Sequence, residues 1–183
     1  MDDTSRYSQG PSPLSRLTPE KSYETIRRDA VTALAGVLAG FWGDIEEQVR
    51  IGGIANHDGR TVYEDRFAIQ MLNQRALELA NRYRENLETA FDRWRNPRPR
   101  PVENRNMSLM SEAQLEIHLA GQQIIELLDN QFVLSLQAMQ ERLDGLGGAL
   151  GLPKQGPEAN PMRPEVPVLA FVKLLGEDDL TPE

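Results

Sequence analysis

Apolar residues in this chain recur at intervals of three and four over three long stretches, and no run alternates with period two for long enough to build a sheet. Such a pattern commits the chain to amphipathic α-helices, because only a 3.6-residue repeat brings those positions onto one face. The first stretch opens at Thr18-Pro19. A threonine accepts from first-turn amides, and proline lacks only an N–H that the first helical position leaves unused. Ile26, Ala30, Ala33 or Leu34, Val37, Phe41, Ile45 and Val49 then form the expected inward face, and Gly52-Gly53 ends the helix. Gly36, Gly40 and Gly43 interrupt this helix, each at a cost of about 0.5–1 kcal/mol relative to alanine. Two explanations stand side by side. Bare glycine backbone at Gly36, Gly40 and Gly43 permits close packing of another helix, or the helix kinks near Gly40 to Gly43.

Asn56-His57-Asp58-Gly59 reads as a turn, followed by a second helix from Val62 to Trp94. Its stripe is Ile69, Leu72, Ala76, Leu79, Tyr83, Leu87, Ala90 or Phe91 and Trp94, with Glu78, Arg82, Arg84, Glu85, Glu88 and Arg93 outside it. Length of this order favours a hairpin, a bundle or a coiled-coil partner, since ordinary helices average about 11–12 residues. Alternating prolines then make residues 96–106 a stiff linker.

Ser111-Glu112-Ala113-Gln114 matches a capping box and starts a third long helix. Ile117, Ala120, Ile124, Leu128, Phe132, Ser135, Met139 and Leu143, widened by Leu127, Leu134, Leu136 and Leu146, make it the helix expected to be most buried. Gly145, Gly147, Gly148, Gly151 and Pro153 stop it. This glycine run follows a helix rather than a strand, so it is no phosphate-binding loop. A short apolar helix over Glu165 to Leu175 closes the series and must dock on other apolar surface. The expectation is an all-α protein, an elongated antiparallel helical bundle of two to three long helices plus a short C-terminal helix, over residues 18–176. Residues 1–17 and 177–183 are expected to be disordered, having too few large apolar side chains to offset the entropy of ordering.

The chain has no cysteine. That excludes disulfide scaffolds, thiolate metal sites and cysteine nucleophiles. Acids outnumber bases 28 to 20 for a net charge of -8, which disfavours bulk affinity for nucleic acid or anionic membranes. The acidic, Ser- and Pro-rich start matches neither a signal peptide nor a membrane span. A cytoplasmic protein without membrane insertion is expected.

One local exception is basic. Arg93, Arg95, Arg98, Arg100 and Arg105 face a single acid, Glu103, and Trp94 lies among them. Guanidinium groups beside an indole suit phosphates, a base or an acidic partner. Against that, a few arginines supply only sequence-independent attraction, and a solvated rigid linker is the favoured reading. His57 and His118 are the only imidazoles, and Glu116 and His118 cannot share a helical face at a spacing of two. Neither a zinc-protease helix nor a nucleophile elbow occurs. No catalytic, cofactor-binding or metal-ligating residue is expected.

Two stretches together resemble the DUF1631 family, a bacterial family of uncharacterised proteins. They are Ser108 through the helix ending at Asp144, and Asn160-Pro161-Met162-Arg163-Pro164-Glu165 followed by an apolar helix. The resemblance extends over roughly residues 20–176. It implies an N-terminal portion or a shortened relative of longer proteins, and no established catalytic residues. The function expected is therefore a non-enzymatic protein–protein interaction module, a scaffold or regulatory adaptor that forms a homo-oligomer, a dimer, or binds a protein partner. The alternative is a nucleic-acid or nucleotide-binding regulator using residues 93–105.

Overall fold

The computed structural model describes residues 17–52, 69–99 and 110–177, with side chains up to residue 47 in the first segment. The expectations for the two terminal arms, the turn at Asn56 to Gly59 with His57, the start of the second helix and the linker from Arg100 to Arg105 lie outside these residues, apart from Leu17 and Glu177. Among the described residues every regular element is helical.

Helix α1 covers Pro19–Gly52. Thr18 caps it as expected, its hydroxyl accepting from the Lys21 amide at 3.3 Å while its carbonyl accepts from Ser22 at 2.9 Å. Helix α2 covers Ala76–Arg95 and carries the most buried stripe among the described residues, Ala76, Leu79, Ala80, Tyr83, Leu87, Phe91 and Trp94. Residues 69–74 are also helical, but the expected single helix is interrupted at Arg75, whose amide is shared between the carbonyls of Met71 and Leu72 at 3.3 and 3.1 Å. Sharing one donor tightens that turn and separates the two pieces.

Helices α1 and α2 pair antiparallel. Tyr23, near the start of α1, donates its hydroxyl to the Phe91 carbonyl at 3.0 Å and stacks on Trp94 with ring centroids 5.9 Å apart. Glu46, towards the other end of α1, accepts from the Asn73 amide at 2.8 Å. The inward face of α1 matches the expected one only in part, at Ala30 and Leu34. Tyr23, Val31 and Ala35 are buried, with Ala30, Leu34, Leu38 and Trp42 packed against the core. Ile26, Val37 and Phe41 point outward. Both sides of α1 are apolar, so periodicity alone does not choose between them, and the aromatic end of α2 selects the side that carries Tyr23.

Helix α3 covers Glu112–Gln131 and α4 covers Val133–Ala149. The expected capping box is formed, with Gln114 N–H donating to Ser111 Oγ at 3.1 Å and Ser111 N–H donating to Gln114 Oε1 at 3.2 Å. The expected continuous third helix is broken at Phe132, whose φ of -106° and ψ of 18° leave the helical region. Nor is it the most buried. On α3 only Gly121 and Ile125 are buried, whereas Ile124 and Leu127 are exposed, as are Phe132 at the break and Leu134 on α4. Its principal partner is α5, Glu165–Glu177, a helix of 13 residues that is too short to cover the apolar surface of a helix of 20.

The glycine run does not end α4 where expected, since Gly145, Gly147 and Gly148 are helical. Gly151 ends it, with φ 71° and a reciprocal pair of bonds, Leu152 N–H to Gly147 O at 2.8 Å and Gly151 N–H to Gly148 O at 3.1 Å. This is a Schellman stop, which needs a left-handed residue where only glycine is unstrained. A single turn of 3-10 helix, Pro157–Ala159, leads to Asn160, which is 4% exposed and whose Oδ1 accepts from the Met162 amide at 2.9 Å. That turn launches α5.

Helix α5 joins the two halves of the structure. Ala170 and Leu174 are fully buried in the core that α1 and α2 share. Val172 lies against Gly121 of α3, where an added Cβ would come within 2.6 Å of Val172 Cγ2. At the other end, Leu143 and Leu146 of α4 join the same core, and Gly147 leaves room for the Trp94 ring 3.5 Å from where its Cβ would be.

This core sets a pH response. Burial pushes the Tyr83 hydroxyl up to about 12 from its usual 10.0, and burial followed by the nearby Asp92 carboxylate raises Tyr23 as well. Folding favours the protonated phenol, so this stability is intact below about pH 10, where the unfolded chain begins to ionise, and is lost as pH rises through the folded value. The Tyr83 contribution amounts to about 2–3 kcal/mol. Urea midpoints of the native chain are expected to fall between about pH 9 and about pH 12, and those of Tyr83→Phe to fall distinctly less. Equal falls in both would remove Tyr83 as the cause.

Candidate functional site

The arginine cluster is placed at the end of α2 and just beyond it. Arg93 and Arg98 are exposed and Arg95 is half-buried, whereas Arg100 and Arg105 lie outside the described residues. Trp94 does not accompany them. Its side chain is 3% exposed, stacked on Tyr23, with the α4 backbone at Gly147 beside its ring. An indole needed to close the core offers no face to a nucleotide base. The patch expected from Arg93, Trp94, Arg95, Arg98, Arg100 and Arg105 is therefore reduced, within the described residues, to guanidinium groups without their aromatic platform.

Among the described residues no helix packs closely on the glycines of α1. An added Cβ at Gly36 or Gly40 would meet nothing within 4 Å, and at Gly43 only Asn73 Oδ1 at 3.7 Å. The close approach that glycine permits is made instead at Gly121. Helix α1 also continues through Gly40 and Gly43 without a break. The outward side of α1 thus combines bare backbone at Gly36 and Gly40 with Val37, 68% exposed, and with Ile26 and Phe41. A second apolar surface lies on α3 and α4, where Leu127 is 64% and Leu134 78% exposed.

His118 lies half-buried on α3, and among the described residues no three His, Asp or Glu side chains are gathered closely enough to hold a metal ion.

A groove of about 570 Å³ is formed where α3 meets α4 and the turn before α5 crosses them. Asp129, Val133, Leu136, Gln137, Gln140 and Glu141 form one wall, and Pro157, Glu158, Asn160 and Arg163 the other. Arg163 anchors the second wall, donating to the Glu158 carbonyl at 3.2 Å and pairing with Glu165 at 3.2 Å and more loosely with Asp129 at 3.5 Å. Two acceptors beneath the groove surface, Asp129 Oδ1 and Gln140 Oε1, have no donor among the described residues. A buried acceptor left without a partner costs about 1–3 kcal/mol. The Gln140 amide is oriented from the other side, donating to Asp144 at 2.8 Å and to the Gln155 carbonyl at 3.3 Å, while Gln155 donates to the Trp94 carbonyl at 2.7 Å.

Nothing in the periodicity marks these groove residues. They span Asp129 to Arg163 and meet only because the chain reverses after Gly151, and the one legible signal was the string Asn160 to Glu165.

No curated protein and no solved structure matches the chain. No helix among the described residues is long and apolar enough to cross a membrane. A family model described as the N-terminal domain of DUF1631, a protein of unknown function, matches residues 55–183. The match includes α2 to α5 and leaves out α1, so it starts later than the resemblance from residue 20 had implied. The chain belongs to the DUF1631 family and carries that family's N-terminal domain.

Proposed function

We propose that this chain is a non-enzymatic helical interaction module, a scaffold or regulatory adaptor, that self-associates through its helices. The observation that carries the reading is the outward side of α1, where Ile26, Val37 and Phe41 are exposed around the bare backbone of Gly36 and Gly40. A helix face of this kind is self-complementary in an isologous pair, because glycines on each copy admit the large apolar side chains of the other. Pairing of this kind would complete an elongated antiparallel bundle from two copies of the α1 and α2 hairpin. The competing nucleic-acid reading retains the exposed guanidinium groups of Arg93 and Arg98 but lacks the stacking surface of Trp94.

Light scattering after gel filtration tests the proposal. The native chain is expected to run as a dimer at tens of micromolar, and a Gly36→Leu/Gly40→Leu double variant as a monomer with unchanged helix content. The fold tolerates those two changes because both positions are exposed with nothing nearby. A strict monomer for the native chain would overturn self-association. A monomer for Leu127→Glu/Leu134→Glu, with the glycine variant still dimeric, would move the interface to α3 and α4.

A further inference from the structure

We propose that the outer stripe of α3 and α4 docks a basic amphipathic helix from another polypeptide. The inference rests on the reading of the chain as an interaction module, but it uses a different surface from the α1 face. Ala120, Ile124, Leu127, Gln131, Leu134 and Ala138 are all exposed and follow one another at alternating intervals of four and three. That spacing is a heptad repeat, the narrow seam by which one helix takes another, and it is distinct from the wider face that packs into a globular core. The core contact of α3 is made on its other side, where Gly121 and Ile125 are buried and Val172 of α5 lies against Gly121.

The seam runs across the break at Phe132. The Phe132 amide still donates to the Leu128 carbonyl at 2.9 Å and the Leu136 amide to the Phe132 carbonyl at 2.9 Å, so the hydrogen-bond ladder bridges the two helices. From Ala120 to Ala138 the stripe extends for about 27 Å, which accommodates a partner helix of about five turns. Gln131 is its one polar member. A single polar side chain in such a seam fixes register and orientation at a cost in stability, which suits a specific partner better than indiscriminate apolar contact.

Charge decides which occupant fits. At about 100° per residue Glu112, Glu116 and Glu126 fall on one flank of the seam, and Glu141 adds a further exposed acid on α4. Among the described residues none of these four enters an ion pair. Arg142 is the only Lys or Arg on either helix. In an antiparallel pair of two copies the acidic flank would meet itself. In a parallel pair it would meet the flank of Gly121, Leu128 and Ser135, which carries no cation. A helix with Lys or Arg beside its apolar residues supplies the missing charge, steers the encounter and rejects acidic competitors.

Fluorescence anisotropy of the full chain with a labelled peptide of about three heptads tests this, with leucine at the core positions, one asparagine among them and lysine at the flanking positions. Two control peptides have the same residues in scrambled order, or glutamate in place of lysine. Saturable binding of the basic peptide is expected, weakened about tenfold by Leu127→Gln/Leu134→Gln and about threefold by Glu116→Gln/Glu126→Gln, the second effect shrinking at high salt. Val37→Gln, on the α1 face, is expected to leave binding within about twofold. Equal binding of either control peptide, equal weakening by Val37→Gln, or no saturation would overturn the proposal. So would a native dimer that Leu127→Gln/Leu134→Gln dissociates, since a second copy would then cover the stripe. A native monomer that binds the peptide overturns the α1 pairing alone, and a native dimer that does not bind it overturns the docking site alone. Should the stripe variant fail to fold, amide shift changes in the native chain on adding the peptide decide. They must centre on Gln123, Leu127 and Leu134, and changes centred elsewhere overturn the assignment.

Discussion

Trp94→Ala is expected to lower the unfolding free energy by about 3–5 kcal/mol, the usual cost of truncating a buried tryptophan. Three features meet at this side chain. Its ring stacks on Tyr23 of α1, stands 3.5 Å from the position of a Cβ on Gly147 of α4, and is sealed at 3% exposure. Alanine returns about 0.5 kcal/mol in helix propensity, which is too little to compensate. A domain of ordinary stability has about 5–15 kcal/mol in total, so the loss would be a large part of it. Urea denaturation measures it, with Arg98→Ala as the contrast. Arg98 is exposed beyond the helix, and its removal is expected to change stability by no more than about 0.5 kcal/mol. A Trp94→Ala change within about 1 kcal/mol of native would show that the aromatic junction does not hold these helices together.

Leu174→Ala is expected to cost about 2–5 kcal/mol and to act on α3 more than on α1. Leu174 is fully buried on α5, and α5 is the main element through which α3 contacts the rest of the described structure. Loosening α5 removes most of what α3 packs on, whereas α1 and α2 still hold each other through Tyr23, Phe91 and Trp94. Hydrogen exchange should therefore show α3 amides losing protection together with those of α5, ahead of the α1 and α2 pair. Protection of α3 that survives unchanged would mean that it is held by something other than α5.

The two variants probe parts of the fold that were unequally legible. The stripe of α2 was readable at Ala76, Leu79, Tyr83, Leu87, Phe91 and Trp94, because charged residues occupy its other sides and leave one apolar face. On α1, α3 and α4 the same reasoning selected positions that are now exposed, among them Val37, Ile124 and Leu134. Those helices are apolar on more than one side, so periodicity identifies a helix without identifying its partner. The place of Trp94 in the basic segment was misread for a related reason. Trp94 stands among arginines in sequence, but along a helix it belongs with Tyr83, Leu87 and Phe91, and burying an indole outweighs its neighbours' charge. The groove was illegible because its acceptors come from helices and a turn that are distant in sequence.

Where helices begin and end was settled by short-range chemistry. Thr18-Pro19 and the Ser111 to Gln114 box satisfy amides that no preceding turn can reach, and Gly151 adopts the left-handed backbone that a stop requires. These are contacts among residues within a few positions of one another, so local sequence suffices. Which faces are covered was settled only when α5 inserted between α2 and α3 and Tyr23 met Trp94. Burial is a property of two surfaces, and a stripe read from one helix contains no information about the length or shape of the surface that will oppose it.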